Sequence, residues 1–257
     1  MNYDVAACSD IGIKKQTNQD ALSARIFSVN EKKGVFAVLC DGMGGLSCGE
    51  IASATLVEAF RKWLAKSLES SELEDISIEK LVRHWNGVIG EENRKIINFS
   101  KEKNIAMGST AVVFLMIGET YYVMNVGDSR AYMISSATKQ ITHDHTFIAA
   151  EIQAGRMTAE EAEKDPRRNV LLQCIGMNND VKPEYYYGKI TKDTCFLLCS
   201  DGFVHKISES EMYDLLAPQN LEDKTQMQSN LVNIIECVKS RKETDNISAV
   251  LIRAANT

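Results

Sequence analysis

The sequence predicts an α+β fold, a sandwich of sheets with helices packed outside it. Three observations carry this. Strand-like runs open the chain and two amphipathic helical stretches follow. Strands, two helices and a closing strand then repeat the order. Tight-turn residues separate several of the strands, so pairing should be mostly antiparallel. No repeat or Gly/Ser-rich linker divides the 257 residues, and only three prolines occur, so a single domain over 1–257 is expected.

Strands are expected at residues 3–9, 21–29 and 34–40. The third is continuously apolar, as in a strand covered on both faces. Residues 48–68 repeat Leu56, Phe60, Trp63 and Leu64 at helical spacing. Residues 77–99 do the same with Ile78, Leu81, Val82, Trp85, Val88 and Ile89. Ser77 followed by Lys80 supplies only half of a capping box there. The period then changes, and 109–134 read as three strands broken at Gly118-Glu119 and Gly127-Asp128. Residues 143–169 are polar with weak helical periodicity and read as a surface flap. Strands at 184–190 and 194–199, helices at 209–216 and 225–239, and a strand at 247–253 complete the pattern.

Composition excludes some functions. A net charge of −6 gives no basic field for a nucleic-acid backbone. The longest uncharged stretch, 105–118, is shorter than the ~20 apolar residues of a membrane span. Seven cysteines form no CxxC pair and read as reduced thiols. The opening "MNYDVAACSD" lacks the basic region and apolar core of a secretory leader, so a cytoplasmic location is expected.

Five aspartates stand at the ends of strand-like runs. They are Asp20 in "TNQDAL", Asp41 in "LCDGMGG", Asp128 in "NVGDSRAY", Asp201 in "LLCSDGF" and Asp245 in "TDNISAVLIR". Hard divalent cations take oxygen ligands, and strand ends can bring carboxylates together without disturbing a core. Glycine after aspartate lets a backbone carbonyl or water approach closely. Any one Asp-Gly is also an ordinary turn. By themselves these residues point to a multi-carboxylate metal site and no further.

The ordered blocks around them resemble the metal-dependent, type 2C Ser/Thr protein phosphatases in their compact bacterial form. The matching runs are "SDIGIKKQTNQDA", "VLCDGMGGLSCGEIAS", "MGSTAVV", "NVGDSRAYMI", "THDHT", "LLCSDGF" and "TDNISAVLI", which span nearly the whole chain. The resemblance implies an α-β-β-α sandwich, with two central sheets flanked by helix pairs and a flap at about 146–176. It implies hydrolysis of phosphoserine and phosphothreonine in proteins by water activated at two Mn²⁺ or Mg²⁺ ions, with a third, weaker site. Asp41 would bridge the ions, and Gly42 would offer its carbonyl. Asp201 and Asp245 would hold one ion, Asp128 would serve the third, and Asp20 would bind through water. Asp41, Asp201 and Asp245 are thus the catalytic candidates. Phosphoprotein substrates, an opposing Ser/Thr kinase and a monomeric state are the implied setting.

Three positions depart from the family pattern. Lys15 stands where an arginine grips the substrate phosphate, exchanging a planar fork for a point charge. Gln19 replaces a glutamate, and Met43 leaves no histidine after the Asp-Gly pair, so the proton donor is unassigned. His145 and Asp144 are expected to be structural, His84 to serve surface or packing, and His205 to line the rim. Cys40 and Cys199 should be core residues, since thiolates suit softer metals. Ser129 and Ser200 are placed to hydrogen-bond nearby carboxylates. Two rival readings are a phosphomonoesterase for small molecules, which Lys15 keeps open, and a catalytically dead phosphoprotein-binding module.

Overall fold

Alternating side chains divide the apolar residues of the central strands between two faces, and this sets the layers. In the computed structural model, residues 1–44, 48–190 and 193–255 are described. Gly45 of the Asp41 motif, with Leu46 and Ser47, lies outside them. The first strands are β1 (Asn2–Asp10), β2 (Asp20–Val29) and β3 (Lys32–Gly44). Two long helices follow, α1 (Gly49–Glu69) and α2 (Ile78–Lys103). Then come β4 (Met107–Ser109), β5 (Ala111–Ile117), β6 (Thr120–Val126), β7 (Arg130–Ile134) and β8 (Thr138–Gln140). The flap carries α3 (Phe147–Gln153) and α4 (Ala159–Lys164). The chain closes through β9 (Glu184–Lys189), β10 (Thr194–Cys199), α5 (Asp201–Val204), α6 (Glu209–Leu216), α7 (Lys224–Ser240) and β11 (Ile247–Ala255).

Two sheets form, in the orders β1-β11-β10-β7-β8 and β2-β3-β5-β6-β9, with β4 paired to β3 beyond the second path. Every strand pairing among the described residues is antiparallel. On β3, Phe36, Val38 and Cys40 face the core shared with α1 and α2, while Val35, Ala37 and Leu39 face the other sheet. On β10, Cys195, Leu197 and Cys199 turn toward α6 and α7, and Phe196 and Leu198 turn inward. The result is helices, sheet, sheet, helices, as expected. Trp63 packs tilted against Phe36 at 5.8 Å and edge-to-face against Trp85 at 5.6 Å, tying α1 and α2 to the sheet. Cys40 and Cys199 are fully buried core residues.

Four features differ from the expected elements. β3 runs on past Cys40 to Gly44 because β4 pairs with its end, Gly42 opposite Ser109. Strands β6 and β7 make no hairpin: the Gly127-Asp128 turn carries the chain from one sheet to the other. The short α5 starts on Asp201, and β8 lies beside β7 at the sheet edge. Ser77 supplies the half of a capping box expected of it, its side chain accepting from the Lys80 N–H.

Candidate metal centre

The register of β2 and β3 sets Asp20 directly opposite Asp41. With a side-chain period of two, Asp41 continues the Val35, Ala37, Leu39 face, so both carboxylates open into the gap between the sheets. Asp201 follows β10 and Asp245 precedes β11, neighbouring strands of the opposite sheet. Asp128 sits on the turn that crosses between the sheets. Strand ends from both layers therefore deliver five aspartates to one edge of the sandwich.

Their charges act on one another. Burial raises the Asp41 carboxyl well above its usual value, and the charges of Asp20, Asp201, Asp128 and Asp245 add to the rise. Burial also pushes Asp20 up to about 6, against hydrogen bonds from Ser248 and Ser200 and with help from Asp201 and Asp245. Asp128 rises to about 7 through burial and the field of Asp201. Asp201 is raised by burial, with His205 opposing and Asp245 assisting. A crowd of half-buried carboxylates is a cost for a fold unless cations offset it.

Asp20 and Asp41 are held from behind. The Ser200 hydroxyl donates to Asp20 Oδ2 at 3.0 Å. Asp41 N–H donates to Thr110 Oγ1 at 2.9 Å, and Thr110 in turn pairs with Ser129 at 2.7 Å. Gly42 lies so close to α1 that a Cβ there would stand 2.2 Å from the Gly49 oxygen, so only glycine fits. Gln19 reaches the Gly44 carbonyl at 3.3 Å. His145 and Asp144 make contacts to the turn and to β7. The Gly127 N–H donates to His145 Nδ1 at 3.2 Å, and Arg130 grips Asp144 with its closest contact at 2.7 Å. His84 stands 3.7 Å from Glu72 on the helical surface, away from the carboxylates.

Lys15 arrives on the 11–19 loop, its ammonium 2.7 Å from Asp245 Oδ1. Burial works against its charge, but Asp245 first, then Asp41 and Asp201, more than offset this and raise its pKa. Asn246 fastens that loop. Its side chain donates to the Ile11 and Thr17 carbonyls at 2.9 and 3.2 Å and accepts from Gln19 N–H at 2.9 Å.

The donor set suits a hard divalent cation. Asp20 Oδ1 and Asp201 Oδ1 are buried with no hydrogen-bond partner, and all five side chains offer oxygen. Among the described residues, no three His, Cys, Asp or Glu side chains by themselves close around one ion. The carboxylates are instead individually engaged by Lys15, His205 and Ser200. A cavity of about 550 Å³ between α2 and residues 179–183 is lined by none of them.

Sequence reasoning missed Asn246, Thr110 and Glu243. Asn246 could have been found from its place beside Asp245; the other two carry no spacing signal.

The sequence profile of the family described as protein phosphatase 2C matches residues 13–251. The chain belongs to the protein phosphatase 2C family. It is thereby an enzyme of the metal-dependent protein Ser/Thr phosphatase class. This phosphatase is 29% identical over 253 residues to protein phosphatase PhpP of Streptococcus pneumoniae, covering 97% of this chain and 96% of that one. A Ser/Thr phosphatase structure from S. agalactiae superposes with a TM-score of 0.84 at 25% identity, covering 98% and 99% of the two chains. The catalytic domain of the phosphatase PstP, solved in complex with two manganese ions, shares the fold at a TM-score of 0.76 and 24% identity, over 99% of each chain. Among the described residues, no helix is long and apolar enough to cross a membrane.

Proposed function

We propose that this phosphatase hydrolyses phosphoserine and phosphothreonine in proteins with two Mn²⁺ or Mg²⁺ ions at the five-aspartate edge. Asp41 would be the shared ligand, with the Gly42 carbonyl beside it. Asp201 and Asp245 would hold one ion, Asp20 would act through water, and Asp128 would serve a third, weaker site. The observation that carries this is the meeting of Asp20, Asp41, Asp128, Asp201 and Asp245 from separate strand ends in one another's fields. When bound, the ions supply a water ionised near neutral pH and positive charge for the phosphoryl oxygens.

The chain's own residues do the rest. Lys15 brings a point charge beside Asp245 to hold the substrate phosphate, and Asn246 holds the Lys15 loop in place. Thr110 and Ser109 fix the Asp41 backbone, so the central carboxylate does not swing as charge develops. The setting is one domain over 1–257, monomeric and cytoplasmic, opposing a Ser/Thr kinase.

Turnover of a phosphothreonine peptide tests the reading. Chelation should abolish it and Mn²⁺ restore it. Asp41→Ala should lower the rate by orders of magnitude with an unchanged circular dichroism spectrum. Near-normal turnover of Asp41→Ala, or faster hydrolysis of a small sugar phosphate than of the peptide, contradicts the reading. Lys15→Ala should raise KM more than it lowers kcat; an unchanged KM makes Lys15 a bystander.

A further inference from the structure

Glu243 and His205 lie behind two of the aspartates, and neither belongs to the ligand set proposed above. Glu243 is 5% exposed, and its Oε1 accepts from Thr244 N–H at 2.7 Å and Asp245 N–H at 3.0 Å. Its Oε2 stands 3.4 Å from His205 Nδ1. The other nitrogen of that ring, Nε2, stands 3.4 Å from Asp201 Oδ2. A continuous chain of polar contacts thus runs from the Asp245 backbone through Glu243 and His205 to the Asp201 carboxylate.

The bridge is anchored at both ends. Glu243 N–H donates to the Val238 carbonyl at 3.0 Å, which fixes it to the last turn of α7. His205 closes the single turn of α5, its N–H bonded to the Asp201 carbonyl at 3.0 Å. The two aspartates it connects carry like charge, so something must hold them at a set separation.

We propose that Glu243 and His205 form a positioning bridge that fixes Asp201 and Asp245 relative to each other. The proposal rests on the metal-centre reading above. Groups that orient a ligand typically govern affinity by 10–100-fold without touching the ion. Glu243 acts on Asp245 through the main chain, and His205 acts on Asp201 through its side chain.

Manganese titration calorimetry of the full chain tests this independently of activity. Glu243→Ala and His205→Ala should each weaken Mn²⁺ binding about tenfold or more. The double variant should bind no more weakly than the worse single one, because either substitution breaks the same bridge. Glu243→Gln keeps one acceptor for the backbone N–H groups and should recover part of the affinity. It also replaces Glu243→Ala in the test if metal-free melting shows the alanine variant unfolded. Affinities within twofold of the parent, or losses that multiply in the double variant, overturn the bridge. A parent chain that binds no Mn²⁺ overturns the metal centre itself, so the two failures are distinguishable.

Discussion

Asp20 and Asp128 hold protons more tightly in the folded chain than an unfolded aspartate does. Their values of about 6 and about 7 lie above the ordinary range near about 4. A raised folded pKa on a carboxyl means the folded state binds more protons between those limits. Metal-free stability should therefore rise as pH falls from 8 to 5. His205, raised by its two acidic partners against burial, pulls the same way; His145, lowered by burial, opposes as one group. The melting temperature of the chelated protein should be higher at pH 5.5 than at pH 8, and the reverse order refutes the clustering. At this scale the aspartates were legible in the sequence because each stands at one end of a strand-like run. Glu243 and Thr110 were not, because they act through backbone groups and leave no periodic trace.

Helix α7 ends by placing Lys242 in the left-handed region at φ 65°. That conformation crowds Cβ and costs roughly 1–2 kcal/mol, less the extra chain entropy that glycine loses on folding. Lys242→Gly should stabilise the protein by about 0.5–1 kcal/mol, read as a higher denaturant midpoint at unchanged slope. An unchanged or lower midpoint would show that the helix end carries no strain. Elements with strong periodicity were readable in advance: β10 and α6 fall on their expected bounds, and α1 within a residue. The extension of β3, the one-turn α5 and the edge strand β8 were not. Each exists because of a tertiary partner rather than a local pattern: β4 for the first, β11 for the second, β7 for the third. The β6–β7 crossing was hidden for a related reason, since a Gly-Asp turn reads alike within a sheet or between two.

At the scale of the molecule, two sheets give the site its shape. One sheet supplies Asp20 and Asp41 from paired strands, the other supplies Asp201 and Asp245, and the crossover adds Asp128. The inter-sheet core of Val35, Leu39, Phe114, Phe196 and Ile252 keeps those edges in register, so the layered fold sets the spacing of the carboxylates. Substrate charge would meet an acidic edge whose nearest cation on the 11–19 loop is Lys15. The direct measurement is an anomalous difference map from crystals soaked in manganese. Two peaks bridged by Asp41, one of them also within coordination distance of Asp201 and Asp245, are expected. No peak near any of these carboxylates at saturating metal would contradict the metal centre.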